Sequence, residues 1–241
     1  MIALFTDFGP IGPYVGQMHA AIVRSDPAPP VIDLMHDAPA FDPASASHLL
    51  AALAAWLPAG TIVVGVVDPG VGTERRPLVV EADGQWFVGP DNGLFDVVAA
   101  RAASSRRWCI TRTPDTAAAT FHGRDLFAPV AAAIARGEAV PGEPIDEPVA
   151  ADAAGDRAAV VYIDAYGNAV TGLRAPGRGA GGVVTIGGRR IPGARTFGDV
   201  VPGDVLWFPD SIGLVEVAVN QGSAAAELGL AVGTPVAWSE D

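Results

Sequence analysis

The chain has 241 residues, of which 50% are hydrophobic and 17% are charged, a composition typical of a compact globular protein rather than a disordered one. Acidic residues outnumber basic ones by 27 to 15 and give a formal net charge of -12. That balance argues against a nucleic-acid partner, because phosphate binding requires a basic surface. A single cysteine, Cys109, excludes an internal disulfide and fits a reducing compartment. Short apolar runs and a start without a basic leader predict a soluble, cytoplasmic protein with no membrane contact.

The first 140 residues alternate short β-branched runs with alanine-rich stretches of helical periodicity. Residues 61–67, TIVVGVV, are continuously apolar, as expected for a strand covered on both faces of a parallel sheet. Two runs on either side of Asp83-Gly84 predict a β-hairpin. We therefore predict a layered, Rossmann-like α/β domain over residues 1–140, with crossover helices. The predicted helices cover residues 14–25, 43–57, 94–103 and 124–136.

The composition changes near position 140. Residues 137–155 are rich in Pro, Glu and Asp and lack helical periodicity, and we place a linker at residues 141–157. The remaining chain contains short apolar runs separated by glycine-rich turns, among them a hairpin signal at Gly187-Gly188. This pattern predicts a small C-terminal β-barrel domain over residues 158–241.

Candidate functional residues follow the predicted strands of the first domain. Asp7 lies in TDFG after the first strand, and Asp68 begins DPGVG after the most buried strand, shortly before Arg75. His122 stands in FHGRD, just before a predicted helix. Because ligands of open α/β sheets bind beyond the carboxyl ends of the strands, we expect these residues at one edge. Asp7 by itself fits a turn or a ribose-binding carboxylate equally well.

A metal site is the weaker interpretation of these residues. Asp68 and His122 with another acid would offer mixed oxygen and nitrogen ligands, but the sequence has no paired-histidine or paired-cysteine spacing. Arg75 nearby would also repel a cation. The glycines of DPGVG lack the Lys and Ser/Thr of a phosphate-binding loop. We therefore predict no metal and no phosphate here, and we interpret Asp91-Asn92-Gly93 as a structural turn.

Motifs along almost the whole chain resemble, in order, those of the S-adenosylmethionine hydrolase family. Its members are also called S-adenosyl-L-methionine hydroxide adenosyltransferases and are relatives of the fluorinase and chlorinase enzymes. FHGRD and DPGVG followed by Arg75 are the specific motifs, and those near the C-terminus are looser. The motifs are TDFG (6–9), YVG (14–16), VDPGVGTERRPL (67–78), VGPDNGLF (88–95), TFHGRDLFAPVAA (120–132), YIDAYGN (162–168) and SIGLVEVAVNQG (211–222).

The resemblance implies an N-terminal α/β domain, a C-terminal β-barrel, and a homotrimer whose active sites lie between subunits. The implied reaction is attack of water at C5′ of S-adenosylmethionine, which gives adenosine and L-methionine without a cofactor. The family's water-handling residues map onto Asp68, Arg75 and His122. This set suits the chemistry, because a carboxylate and an imidazole can accept a proton from water while an arginine stabilises hydroxide.

The resemblance also implies how the rest of the substrate is bound. Asp7 is expected to hold the ribose hydroxyls, and Phe41 to cover part of the ligand. In the C-terminal domain, we expect Asp164 and Asn168 to hold the amino-acid group of methionine, Ser211 to contact its carboxylate, and Tyr166 to stack near adenine.

Three departures from the family pattern affect the methionine end. The loop IDAYGN is one residue shorter than in the halogenases, Gly172 replaces a frequent Asn, and Asp210 replaces an Asn before Ser211. An extra carboxylate at position 210 is expected to weaken contact with the substrate carboxylate. Recognition of methionine is therefore a weaker prediction than activation of water.

Two other functions are weighed against hydrolysis. A halogenase would need a pocket for an anion, and Asp68 would repel a halide there; His122-Gly123 also replaces the Tyr-Ser pair of the fluorinase. A non-catalytic adenosine or S-adenosylmethionine binding protein, such as a sensor, would keep the ribose site but leave the water site idle. The intact set of Asp68, Arg75 and His122 favours the hydrolase.

Overall fold

The computed structural model describes residues 1–25, 27–150, 152–176 and 182–240. The chain divides into two compact units. The N-terminal unit comprises Met1–Leu50 and Leu57–Ala154, and the C-terminal unit comprises Ala51–Trp56 and the chain from Gly155 onward. The break after Ala154 falls within residues 141–157, the segment that we propose as a linker.

A mixed β-sheet of seven strands, within the described ranges, forms the centre of the N-terminal unit. Its order is β2-β1-β3-β5-β4-β6-β7, with β1, β2, β3 and β5 parallel and the other three antiparallel to their neighbours. Asp83 and Gly84 connect β4 to β5 with φ of 48° and 81°, as a tight hairpin turn requires, so the predicted hairpin is confirmed. The strands are β1 Ile2–Thr6, β2 Val31–Met35, β3 Ile62–Val66, β4 Pro77–Ala82, β5 Gln85–Pro90, β6 Ser105–Ile110 and β7 Gly142–Pro144.

The predicted helices are confirmed with shorter bounds. The last one begins as a π-helical turn over Gly123–Phe127 and continues as a regular helix. Strand β3 is buried along its whole length, as its continuous apolar sequence predicts, and it packs into a core with α1 and α4. The helices of this part of the chain are α1 Tyr14–Val23, α2 Pro43–Ala54, α3 Asp96–Arg101 and α4 Ala128–Ala135.

The C-terminal unit contains two smaller sheets, one with the order β11-β10-β14 and one with the order β12-β13-β9-β8. The hairpin predicted at Gly187-Gly188 joins β10 to β11, and both glycines have positive φ. The indole Nε1 of buried Trp207 donates to the carbonyl of Gly182 at 3.1 Å. The elements are β8 Arg157–Ile163, β9 Ala169–Arg174, β10 Val183–Ile186, β11 Arg189–Pro192, β12 Val205–Pro209, β13 Leu214–Val219, α5 Ala224–Leu228 and β14 Val236–Ser239.

The prediction of a closed C-terminal β-barrel is wrong: in the described residues the two sheets do not join into one continuous ladder. They touch at isolated bridges, Ala159 with Pro235 and Gly193 with Trp207. Proline lacks the N–H that a ladder needs, and Pro235 and Pro192 lie at these two seams. The repeated strand signals indicate how many short strands form, but not whether their edges pair.

Candidate active site

The N-terminal unit brings together Asp68 and Arg75, which share the loop between β3 and β4, and His122 from a later loop. Arg75 Nε donates to the two carboxylate oxygens of Asp68 at 2.8 and 3.0 Å, and Arg75 Nη2 donates to Asp68 Oδ2 as well. The same Nη2 lies 3.2 Å from His122 Nδ1. The side chains of Arg75 and Asp68 are only 9% and 5% exposed, so salt screens their interaction far less than it would at the surface.

The surroundings of His122 favour its neutral imidazole. Burial is the main cause that lowers its pKa, and the charge of Arg75 acts in the same direction. Because an arginine N–H faces Nδ1, that nitrogen carries the lone pair and Nε2 carries the proton, a tautomer assigned from the contact geometry. His122 therefore offers an N–H donor, while the remaining lone pairs of the Asp68 carboxylate offer acceptors.

The Nη1 atom of Arg75 is buried and has no hydrogen-bond acceptor among the described residues. A buried donor without an acceptor carries a desolvation cost of about 1–3 kcal/mol or more. Such groups in folded proteins generally bind ordered water or a ligand. Arg75 is thus held by Asp68 on one side and has donors left for another oxygen.

Glycines and one threonine shape the loop between Asp68 and Arg75. Thr73 Oγ1 donates to the carbonyl of Gly70 at 2.7 Å, which closes a turn in the middle of the loop. Gly72 has φ of +80°, and a Cβ there would come within 3.0 Å of the carbonyl oxygen of Ala119. Only glycine accommodates both conditions. The DPGVG sequence is thereby explained as backbone geometry that returns Arg75 to Asp68.

Arg76 is tied to a different set of partners, so the two neighbouring arginines have distinct roles. Arg76 Nε donates to Asp91 Oδ2 at 2.7 Å, and its Nη2 donates to Glu147 Oε2 at 2.9 Å. Arg107 Nη2 donates to the other Asp91 oxygen at 3.2 Å. This network fixes the end of the loop and directs Arg75, rather than Arg76, toward Asp68. Asp91 therefore has a structural role, as expected.

The π-helical turn begins directly after His122. Asp125 Oδ2 accepts the backbone N–H of Ala118 at 2.9 Å and pairs with Arg124 through both carboxylate oxygens. The Arg124 guanidinium also lies over the Phe121 ring. The charged end of FHGRD thus anchors the loop that carries His122. Extra-wide helical turns of this kind are frequent at functional sites.

Asp7 and Phe41 also meet in the N-terminal unit. The backbone N–H of Phe41 donates to Asp7 Oδ2 at 3.1 Å. Burial raises the pKa of the Asp7 carboxyl, the Phe41 N–H opposes that shift, and the nearby charge of Asp68 adds to it. Phe41 has φ of +59°, and its residue is 77% exposed. A strained, exposed aromatic residue beside a half-buried carboxylate is a candidate ligand contact.

The C-terminal unit contains an open cavity of about 630 Å³ that three of the predicted residues line: Asp164, Tyr166 and Asn168. Asp164 Oδ1 accepts the backbone N–H groups of Tyr166 and Asn168, and its Oδ2 accepts from Asn168 Nδ2 at 3.0 Å. The Tyr166 residue is 80% exposed. Asp164 thus holds the loop that presents the tyrosine ring to the cavity.

Most of the remaining cavity wall lies outside the residues predicted from the sequence. Phe197 offers a second aromatic ring, and Gln221 adopts φ of +59°, an uncommon conformation for a residue other than glycine. Residues 219–222 of this wall belong to the motif that ends in AVNQG, but the sequence pattern gave them no role. The additional lining residues are Phe197, Val219, Asn220, Gln221, Gly222 and Ser223.

Ser211 is exposed, and it is not among the described residues that line this cavity. Asp210 Oδ1 accepts the N–H groups of Ile212 and Leu214 at 2.9 and 2.8 Å. Its carboxylate therefore organises the turn that carries Ser211. Burial, with the charges of Asp210 and Asp164, raises the pKa of Glu216 to about 7. Glu216 was also missed, although an acid within the apolar run LVEVAV is a recognisable signal.

The departure at Gly172 has a packing explanation. A Cβ at this position would lie 2.5 Å from Arg157 Cβ and 2.7 Å from the Arg157 carbonyl oxygen. Gly172 pairs with Arg157 where the β8–β9 register shifts. The glycine is therefore required by the close approach of two strands.

Among the described residues, no group of three or more His, Cys, Asp or Glu side chains is arranged to hold a metal ion. Within the same ranges, no helix is long and apolar enough to cross a membrane.

The sequence matches two family profiles, the S-adenosylmethionine hydroxide adenosyltransferase N-terminal domain over residues 2–142 and the corresponding C-terminal domain over residues 158–237. A Thermus thermophilus protein named (R)-S-adenosyl-L-methionine hydrolase is 42% identical, with 98% of each chain covered. A Salinispora tropica protein of the same name is 39% identical over 96% of this chain and 95% of its own. The crystal structure of an uncharacterised Thermotoga maritima protein superposes with a TM-score of 0.87, 31% identity and full coverage of both chains.

These matches span both units and contain the motifs that build the two groups of candidate residues. The chain belongs to the S-adenosylmethionine hydroxide adenosyltransferase family.

Proposed function

We propose that this chain is an enzyme that hydrolyses S-adenosyl-L-methionine to adenosine and L-methionine. The observation that carries the proposal is the buried cluster of Asp68, Arg75 and His122, in a chain related over its full length to named hydrolases of this substrate. Because those relatives are named for the (R) sulfonium epimer, we propose the (R) epimer as the preferred substrate.

The reaction needs an activated water molecule and little help for the leaving group. The water oxygen forms a bond to C5′ while the C5′–S bond breaks. The electron pair of the broken bond stays on sulfur, so methionine leaves as a neutral thioether. In our proposal a carboxylate oxygen of Asp68 accepts a hydrogen bond from the water and takes up its proton as the bond to C5′ forms. Arg75 Nη1 and His122 Nε2–H donate to the same oxygen and stabilise it as it loses its proton. No metal or other cofactor is required for these steps.

We assign the ribose to residues of the N-terminal unit, and the adenine and the amino-acid group to residues of the C-terminal unit. Asp7 accepts the ribose hydroxyls, with Phe41 covering that face of the ligand. Adenine stacks in the cavity of the C-terminal unit between Tyr166 and Phe197, since ring stacking on a base contributes about 1–3 kcal/mol. The amino-acid group of methionine is assigned to Asp164 and Asn168, which line that cavity, and its carboxylate to Ser211.

We further propose a cytoplasmic homotrimer in which each complete site combines an N-terminal unit with the C-terminal unit of a neighbouring subunit. The exposed aromatic rings of Phe41 and Tyr166 support this assembly, because large exposed aromatics mark ligand or protein contacts. Light-scattering mass in solution tests it: three chains are expected, and a strictly monomeric active enzyme would contradict shared sites.

The direct test of the function is product release. Purified protein, freed of bound nucleoside and treated with a chelator, is incubated with each sulfonium epimer, and the products are separated by chromatography. Adenosine and methionine in equal amounts, formed faster from the (R) epimer, are expected. Intact substrate across a range of pH, together with tight binding of adenosine, would instead identify a binding protein.

A further inference from the structure

A chain of polar side chains outside the proposed site connects the surface to the loop that carries Asp7. Asp33 on β2 places one carboxylate oxygen, Oδ1, 2.7 Å from His19 Nε2 and 3.1 Å from His36 Nε2. The other ring nitrogen of His36, Nδ1, lies 2.9 Å from the hydroxyl of Thr6. Thr6 is fully buried, and its hydroxyl accepts the backbone N–H of Phe8 at 3.3 Å.

The hydrogen bond from Phe8 sets the direction of the contact between Thr6 and His36. A nitrogen that faces a carboxylate must carry a proton, so His36 Nε2 is protonated. The Phe8 N–H donates to Thr6 Oγ1, which leaves the Thr6 hydroxyl proton to be donated onward. With the proton on Nε2, His36 Nδ1 offers the lone pair that accepts it. The Phe8 N–H and the Thr6 hydroxyl then each have one acceptor, whereas His36 Nε2 has no aligned acceptor among the described residues.

The two contacts of His36, one with Asp33 and one with Thr6, differ in strength. His36 is nearly buried, with 11% of its side chain exposed, whereas the Asp33 side chain is 49% exposed. The contact of His36 Nε2 with Asp33 falls within ion-pair range but outside hydrogen-bond angles. Exposed pairs of this kind contribute little. The hydrogen bond between His36 Nδ1 and the Thr6 hydroxyl is therefore the stronger contact of His36.

Backbone contacts show what this pair holds in place. Gly9 N–H donates to the His36 carbonyl at 2.6 Å, and Ala38 N–H donates to the Thr6 carbonyl at 3.1 Å. The loop after β1 is thus fastened to the segment after β2, and Asp7 projects between these contacts toward the Phe41 N–H. Phe8, whose N–H is held by Thr6, adjoins Asp7 directly in the chain.

We propose that His36, acting through the Thr6 hydroxyl, is a positioning residue for the Asp7 carboxylate and so for nucleoside affinity. The inference rests on the proposed function, because it assumes that Asp7 binds ribose. It adds a role for two residues that do not touch the ligand.

The test uses a matched pair of substitutions. Asn places its side-chain oxygen near the position of histidine Nδ1, whereas Gln reaches the position of Nε2. His36→Asn should keep the Thr6 contact and bind adenosine within about threefold of the unmodified protein, and His36→Gln should bind about tenfold more weakly, as expected for one lost hydrogen bond. Turnover at saturating S-adenosylmethionine should change little in either variant. His19→Ala, which removes only the exposed partner, is the control.

A second pair probes the other member without depending on His36. Thr6→Ser keeps the hydroxyl and should retain the affinity for adenosine. Thr6→Val, of nearly equal volume, should bind adenosine about tenfold more weakly. Calorimetric adenosine affinity and thermal unfolding are measured for every variant. Equal affinities for His36→Asn and His36→Gln, or full affinity in Thr6→Val, would overturn the inference. An unmodified protein with no turnover would instead refute the proposed function, and the affinity comparison would still decide the role of His36.

Discussion

The two groups of candidate residues are built in opposite ways. The proposed water site of the N-terminal unit is buried, and several contacts join Asp68 to Arg75. The cavity of the C-terminal unit is open, and Tyr166 at its wall is mostly exposed. Catalytic groups that stabilise charge work best when they are fixed before the reaction. A stacking surface can instead gain its order when the ligand binds, so the two regions should respond differently to mutation.

The largest effect is expected from Asp68→Asn, which keeps the shape of the side chain but removes the acceptor charge. Turnover should fall about a thousandfold, the scale of losing a preorganised charged group. Adenosine affinity should stay within about threefold, because the nucleoside contacts lie elsewhere. Steady-state kinetics and calorimetry provide the two values. Parallel losses in both would remove the distinction between a water site and a binding site.

Substituting each of the neighbouring arginines by lysine should separate their roles. Arg75→Lys keeps the charge but loses the forked contact with Asp68, and turnover should fall about a hundredfold. Arg76→Lys alters a half-exposed network with Asp91 and Glu147, and turnover should change by about threefold or less. Initial rates at saturating substrate measure both. If Arg76→Lys proved the more damaging variant, the assignment of Arg75 would be wrong.

A smaller effect is expected in the open cavity. Tyr166→Ala should weaken adenosine binding about tenfold, within the range for loss of a stacked ring. Tyr166→Phe is the control and should bind normally, because it retains the ring. Turnover at saturation should be nearly unchanged in both variants. A large loss of turnover in Tyr166→Ala, without loss of affinity, would place the tyrosine in the reaction rather than in binding.

The smallest effect concerns stability and pH. Because the pKa of Glu216 is raised to about 7 in the folded protein, the folded state favours the protonated acid. The free energy of unfolding should therefore fall as pH rises from the ordinary glutamate value near 4.5 through 7. Glu216→Gln should raise the melting temperature at pH 8 by a few degrees and leave it unchanged at pH 4. Thermal unfolding at both values measures this, and equal changes at both would show that Glu216 does not titrate as described.

The sequence predicted that several polar residues of the N-terminal unit lie close together, for a physical reason. Strand ends of a parallel sheet converge at one edge, so loops with Asp7, Asp68 and His122 were expected to meet. The choice between Arg75 and Arg76 was harder, because Arg76 is fixed by Glu147, which lies far along the chain. No local pattern encodes that contact.

The C-terminal unit was harder to predict. Short strands and glycine turns were recognised, but closure of the barrel depended on pairing at seams that contain Pro192 and Pro235. The cavity wall from Val219 to Ser223 comes from a turn whose shape depends on Gln221 at positive φ. Sequence periodicity carries no information about such a conformation.

In the proposed reaction, water attacks C5′ of S-adenosylmethionine beside Asp68, Arg75 and His122. The most direct measurement is turnover in ¹⁸O-labelled water with mass spectrometry of both products. The label should appear in the 5′-hydroxyl of adenosine and not in methionine, and Asp68→Asn should slow formation of that labelled product about a thousandfold. Unlabelled adenosine, or label in the amino-acid product, would contradict the account.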